Sequence, residues 1–205
     1  MSRQVVWVGV LGLLAVSATA CGLFERQHDL PAYDPALYAG LQSPAPVPTP
    51  PLAWANGSAY AIVVRKSERT LTLYHAGEQQ KVYPIVLGID PAGPKTYQGD
   101  LRTPEGLYYI VRKWAHQRWS RFMLLSYPNQ VDRRRYAMAM TEGRVPIIDG
   151  QAPGLGGAVG IHGSDREDSN VRGIDWTWGC ISMLNAHVAE LYDLAPVGTP
   201  VLIEE

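Results

Sequence analysis

From residue 59 onward the chain alternates apolar and polar positions in short runs separated by turn residues. Residues 59–64 and 69–75 are β-type runs, and in Thr70-Leu71-Thr72-Leu73-Tyr74 the leucines alternate with threonines, turning one face inward. Ala76-Gly77-Glu78 reads as a hairpin turn into a third run at 81–87. Residues 106–112 and 121–126 continue the pattern, broken by Pro104-Glu105-Gly106 and by Pro128-Asn129. A short helix is predicted over 132–140, and a strand over 158–162 follows the glycine-rich loop 154–157. The clearest helix begins at Asn185, a good N-cap, sets Val188, Leu191 and Tyr192 on one face, and is stopped by Pro196 and Gly198. A strand at 199–203 closes the series. Many short strands with one or two short helices predict a mostly β fold, a β-sandwich or partly closed barrel.

The first 58 residues break this pattern. Arg3 precedes a 12-residue apolar stretch, Val5 to Val16, shorter than the ~20 residues a spanning helix needs, so residues 1–20 read as an export signal. Ala18-Thr19-Ala20-Cys21 permits two processing outcomes, ordinary cleavage after the Ala-x-Ala or cleavage before a lipid-modified cysteine, and the second is favoured because Cys21 opens onto a polar tail as an acylated N-terminus does. Several acyl chains on one residue give stable anchoring where a single chain does not. Gly22 is not the aspartate associated with inner-membrane retention, which points to the outer membrane. Residues 21–58 hold Pro31, Pro35, Pro44, Pro46, Pro48, Pro50 and Pro51 and read as a semi-rigid tether. The organisation expected is a lipoprotein-type signal (1–20), a Pro-rich tether (21–58) and one folded domain (59–205), exported and lipid-anchored in the periplasm.

Composition narrows the class further. Of 205 residues 46% are apolar and 18% charged, and the net charge of -1 offers no basic footprint for nucleic acid. Arg133-Arg134-Arg135 reads as a solvated helix face. Composition places no constraint on oligomeric state.

There are two cysteines in unrelated settings. With Cys21 consumed by lipid, Cys180 is the remaining thiol, in Asp175-Trp176-Thr177-Trp178-Gly179-Cys180-Ile181, downstream of Ile161-His162-Gly163. A thiol attacks carbonyls as thiolate and needs a neighbour that takes its proton. His162, ending a predicted strand, is the candidate base. Gly163 lets the backbone turn tightly after it, and Gly179 leaves the sulfur open, with the N–H groups of Gly179 and Cys180 facing a developing oxyanion. A lone cysteine in an apolar setting is also a common buried small residue. Zinc ligation by His162 and Cys180 with Asp165 or Asp168 lacks a third nitrogen or sulfur ligand at motif spacing. The acidic loop Asp165-Arg166-Glu167-Asp168 reads as solvated surface, with Asp165 near enough to border a substrate groove. His28, His75, His116 and His187 have no motif context.

Ile161-His162-Gly163, followed seventeen residues later by Thr177-Trp178-Gly179-Cys180-Ile181, resembles the signature of the L,D-transpeptidase (YkuD) domain. Gly88 and Arg102-Thr103-Pro104-Glu105-Gly106 leading into Tyr108 resemble the Thr-Pro-x-Gly turn of that domain. The Trp-Thr-x-Gly-Cys run and Ser126-Tyr127-Pro128-Asn129 are similar to the YafK-like branch. The resemblance covers about Ala59 to Ile203. It implies a mostly β fold, Cys180 as nucleophile, His162 as base oriented by the Gly163 carbonyl, peptidoglycan stem peptides as substrate, and no cofactor. Trp178 stands where the main family has a second histidine and Ser182 where it commonly has arginine, so Thr177, Trp178, Ser182 and Asp165 are the substrate-groove candidates. Three outcomes stay open: crosslink formation or attachment of protein to peptidoglycan, hydrolysis of stem-peptide or protein–peptidoglycan links by the same pair, and a non-catalytic peptidoglycan-binding lipoprotein.

Overall fold

The computed structural model describes Ala55 and residues 57–205. The export signal, Cys21 and the Pro-rich tether lie outside the described residues, apart from the last few tether positions. Eight strands form one sheet in the order β3-β2-β1-β8-β4-β5-β6-β7. They are β1 (Tyr60–Arg65), β2 (Thr70–His75), β3 (Glu78–Pro84), β4 (Gly106–His116), β5 (Ser120–Leu125), β6 (Gly160–His162), β7 (Ile181–Ser182) and β8 (Pro200–Glu204). Three helices join them: α1 (Gln130–Thr141), α2 (Glu167–Val171) and α3 (Asn185–Leu194). β1/β8 and β6/β7 pair in parallel, and the other neighbours are antiparallel. The fold is mostly β, as the alternation predicts, with α2 an addition to the expected helices.

β4 carries the sheet from one half to the other. Its first residues, Gly106 to Tyr109, pair with β8, while Ile110 to His116 pair with β5 after a register shift between Ile110 and Arg112. An irregularity of this kind bends the strand and raises the local twist, so the sheet curls into a half-barrel instead of lying flat. The concave side is filled by Ile62, Val64, Leu71, Leu73, Tyr108, Ile110, Met123, Ile161, Ile181, Val201 and Ile203. Val188 and Leu191 of α3 add to this core, which fits the helical spacing read from the sequence. In β2 the leucines enter the core as expected, but Thr70 and Thr72 are buried too. The opposite face is covered around Ala55, Ala61, Val63 and Tyr74.

Local chemistry sets the element ends. Ala76 and Gly77 both adopt positive φ (50° and 86°), the geometry of a tight hairpin, and β3 then runs to Pro84. The predicted continuation to Leu87 fails because proline has no N–H to donate to a ladder; beyond it Val86 makes only an isolated bridge to Ser182. α1 starts at Asn129, whose side chain accepts from Val131 N and Asp132 N, while Asp132 reaches back to the Asn129 N–H. Arg133 and Arg134 are exposed, and Arg135 pairs with Asp132.

Asp132 is 1% exposed and also accepts from the buried Tyr108 hydroxyl at 3.0 Å. Truncating it strands the Asn129 N–H, removes the partner of Arg135 and leaves the Tyr108 hydroxyl with the Glu105 carbonyl at 3.1 Å as its remaining acceptor. Asp132→Ala is therefore expected to lower stability by ~3 kcal/mol, seen as a drop in the urea midpoint at unchanged slope.

α3 departs from expectation at its start. Its N-cap is Leu184, with no side-chain cap, and Asn185 is the first helical residue. The Asn185 N–H is taken instead by the Glu167 carboxylate at 2.7 Å, an anion from α2 at a helix N-terminus. The Asn185 side chain is thereby free to bond Ser164, accepting from its N–H at 2.9 Å and donating to its carbonyl at 2.8 Å. The acidic loop is thus part of the fold: Glu167 and Asp168 open α2, and Glu167 holds α3.

Candidate active site

The two sequence motifs meet at one edge of the sheet. β6 and β7 pair in parallel, Ile161 opposite Ile181 and His162 opposite Ser182, so Cys180 enters just ahead of the strand beside His162. The Met183 N–H bonds the His162 carbonyl at 2.8 Å and locks this register. Both side chains pack against the same aromatic walls. Cys180 clusters with Trp119 and Phe122, and His162 stacks on Trp119 at 4.5 Å and on Phe122 at 5.7 Å with an interplanar angle of 5°. Gly160 allows this stack, because a Cβ there would lie 2.5 Å from the Phe122 ring. Trp119 is delivered by the β4–β5 hairpin, where its N–H and that of Arg118 donate to His116 Nδ1. His116 also stacks on Trp119 at 4.5 Å, so Trp119 joins His116 and His162 in one aromatic column.

His162 is 2% exposed, and its Nδ1 bonds the Gly163 carbonyl at 2.6 Å. A carbonyl only accepts, so Nδ1 carries the proton and Nε2 keeps its lone pair. Burial pushes the imidazole down to about 4; His116 and Arg118 act in the same direction, against the Gly163 carbonyl and Asp165. At neutral pH the ring is uncharged and able to accept a proton. An unfolded histidine titrates near ~6.5, so between that value and about 4 the unfolded chain binds more protons than the folded one. Stability from this group is complete above ~6.5 and is lost as pH falls through about 4, up to ~3 kcal/mol. His116 and His187 are also lowered by burial and add the same sign. His162→Gln is expected to flatten, without erasing, the acid limb of a urea-unfolding series.

Cys180 is 9% exposed, with Sγ 3.7 Å from the Ala158 carbonyl. Its loop is shaped by Thr177, whose hydroxyl donates to the Cys180 carbonyl at 2.7 Å and accepts from the Gly179 N–H at 3.2 Å. The Gly179 N–H is therefore occupied, and the oxyanion role expected of it is not available in this state. What requires glycine is φ of +125° and close approach: a Cβ at Gly179 would lie 2.5 Å from the Arg102 carbonyl. Gly163 has no positive φ, so backbone handedness is not what requires glycine there. It serves close packing, because a Cβ would sit 2.2 Å from Asn185 Oδ1 and 2.5 Å from the Trp119 carbonyl.

The upstream motif forms the floor of this loop. The Gly88 N–H bonds the buried Thr103 hydroxyl at 3.1 Å, Gly88 bridges Thr177, and the Ile89 N–H bonds the Thr177 carbonyl at 3.0 Å. Lys95 and Asp100, whose side chains are 5% and 4% exposed, pair at 2.6 Å beside Gly179. Asp175 accepts from Leu87 N at 2.7 Å and from the Arg69 guanidinium, anchoring the other side.

Among the substrate-groove candidates, only Trp178 offers substantial surface, at 60% exposed. Thr177 and Ser182 are buried, their hydroxyls committed inside the protein, so neither lines an open groove. Asp165 is half-buried and ion-paired with Arg118 near the His116–Trp119 column. Sequence reasoning missed Trp119, His116, Asn170, Asn185 and the Lys95–Asp100 pair, none of which lies in a motif. Among the described residues no group of three or more His, Cys, Asp or Glu side chains gathers to hold a metal, and no helix is long and apolar enough to cross a membrane.

Comparison with known proteins gives the family and the fold. The family model for the L,D-transpeptidase catalytic domain, YkuD, matches residues 59–203. A curated protein of Escherichia coli (strain K12), provisionally named L,D-transpeptidase YafK, is 34% identical over 106 residues, covering 49% of this chain and 42% of that protein. Its counterpart in Escherichia coli O157:H7 matches equally. The chain thus spans less than half the length of these relatives. In fold it is similar to the helical cell shape determining protein Pgp2 from Campylobacter jejuni, with TM-score 0.52 and 23% identity over 72% of this chain and 48% of that one.

Proposed function

The chain belongs to the L,D-transpeptidase catalytic domain (YkuD) family, and from that premise we propose that it is a cysteine acyltransferase acting on the stem peptides of peptidoglycan. The observation that carries the reading is the β6/β7 register, which sets a neutral, buried His162 and the Cys180 loop against the same aromatic walls. His162 Nε2 takes the proton from Cys180 Sγ, and the thiolate attacks the carbonyl of the L-centre of a stem-peptide diamino acid. The C–N bond to the terminal D-residue breaks, that residue leaves as an amine with the proton held by His162, and a thioester remains on Cys180. An amine from a second acceptor attacks the thioester, His162 takes its proton, and the thiol is restored. Each proton lost by one partner is gained by the next, and no redox step is involved.

Trp178, exposed beside the nucleophile, offers an aromatic surface for the acyl donor or acceptor. The location proposed for the enzyme is the periplasm, exported by residues 1–20 and held to the outer membrane by lipid on Cys21, with residues 21–58 as the tether. Intact-mass measurement after incubation with purified stem peptides is the test. The expected result is a mass gain on Cys180 equal to the donor less its terminal residue, discharged by an added amine into a crosslinked product. Discharge by water alone would assign hydrolysis of the same links. Absence of any adduct from folded protein at neutral pH would remove the enzymatic reading in favour of a peptidoglycan-binding role.

A further inference from the structure

His162 is held by more than its neighbour's carbonyl. The Gly163 oxygen accepts a second hydrogen bond, from the Ser182 hydroxyl at 3.2 Å. Ser182 accepts in turn from Asn170 Nδ2 at 3.0 Å, and Asn170 Oδ1 accepts from Trp176 Nε1 at 2.9 Å. Trp176 returns to the start, its ring set edge-on to the His162 ring at 5.9 Å and 67°. Ser182 is 0% exposed and Asn170 is buried, so these bonds are shielded from water.

We propose that Trp176, Asn170 and Ser182 are positioning residues: a one-way hydrogen-bond chain that fixes the Gly163 carbonyl and, through it, the tautomer and orientation of His162. The proposal rests on His162 being the base. The direction follows from donor chemistry. An indole N–H can only donate, so Asn170 must turn its oxygen to Trp176 and its NH₂ to Ser182. That NH₂ can only donate, so the single Ser182 proton goes to the Gly163 carbonyl. The carbonyl has two lone pairs and serves both Ser182 and His162 Nδ1–H. The proton on His162 is thereby confined to Nδ1, and Nε2 stays free.

This assigns a task to two features the family resemblance left unexplained. Ser182, standing where arginine is common, is the inner link of the chain and does not contact substrate. α2, the short helix in the supposed surface loop, exists in part to deliver Asn170. Asn185 supports the same segment from the other side by holding both backbone groups of Ser164.

The test uses the full-length protein with ¹⁵N-labelled histidine, read by NMR for the His162 tautomer and the water-exchange rate of its Nδ1–H, alongside the rate of Cys180 adduct formation. Wild type is expected to show a single Nδ1–H tautomer with slow exchange. Ser182→Ala is expected to speed Nδ1–H exchange and slow adduct formation, each ~10-fold, in line with the loss of outer-shell support at other sites. Ser182→Thr, which keeps the hydroxyl, restores both. Asn170→Asp preserves shape but replaces the NH₂ by an acceptor, so it draws the Ser182 proton away from Gly163 and reproduces the Ser182→Ala exchange rate. Wild-type tautomer and exchange in both Ser182→Ala and Asn170→Asp would overturn the chain. A wild type that forms no adduct yet shows the expected NMR responses would overturn the acyl-transfer reading and support the positioning one.

Discussion

Cys180→Ala is expected to abolish the stem-peptide adduct and reduce turnover by ~10⁴-fold or more, as loss of a nucleophile does in other covalent hydrolases. The fold should survive. The side chain is small, sits against Trp119 and Phe122, and removing one sulfur leaves a cavity worth about 1–2 kcal/mol. Near-UV circular dichroism should be retained, since the aromatic column His116–Trp119–His162 does not depend on the thiol. Cys180→Ser should fail almost as completely, for a reason specific to this site. Burial holds His162 well below the usual imidazole range, so it is a weak base, and an alcohol is far harder to deprotonate than a thiol. A Cys180→Ala protein that still makes crosslinks would remove Cys180 from the mechanism.

The second large effect is expected from Gly163→Ala. The added methyl would lie 2.2 Å from Asn185 Oδ1, 2.5 Å from the Trp119 carbonyl and 3.0 Å from Val188 Cγ1. The Asn185 side chain cannot swing aside cheaply, because it holds Ser164 through two hydrogen bonds. The Trp119 carbonyl is backbone, and it accepts the Gly163 N–H at 3.0 Å. Relief must come from moving the residue-163 carbonyl, the group that holds His162 Nδ1. We expect a loss of ~2–3 kcal/mol in stability and of ~10²-fold or more in adduct formation. The observation that identifies the cause is an adduct rate that falls far more than the folded fraction, measured below the thermal midpoint. Near-normal activity would mean that the carbonyl position is not what aims the imidazole.

Much of this was legible in the chain. Alternation over Thr70-Leu71-Thr72-Leu73 marked a strand because its period of two matches the pleat, and Gly77 marked the hairpin because glycine accepts positive φ at no steric cost. His162 and Cys180 stood out because reactive side chains flanked by glycine are unusual in a core. Other features left no such trace. β7 has two residues and no periodicity to read. α2 reads as solvated charge in the sequence, because nothing local shows that the Glu167 carboxylate meets the start of α3. Asn185 has a fine capping side chain that is used elsewhere, since the folded protein supplies the Glu167 carboxylate for the helix end. Thr177 and Ser182 resembled groove residues by proximity to Cys180, yet their hydroxyls point inward to backbone carbonyls.

The sequence by itself determined the strand-rich architecture and the family, and singled out His162 and Cys180 as the candidate pair, because each depends on local periodicity or on a short contiguous motif. Only the tertiary structure decided that the imidazole rests neutral, that Gly163 is needed for close packing, that Trp119 stacks on His162, and that Asn170 and Ser182 lead to the Gly163 carbonyl. Those outcomes depend on desolvation and on contacts between residues far apart in the chain. Such quantities come into being when the half-barrel closes.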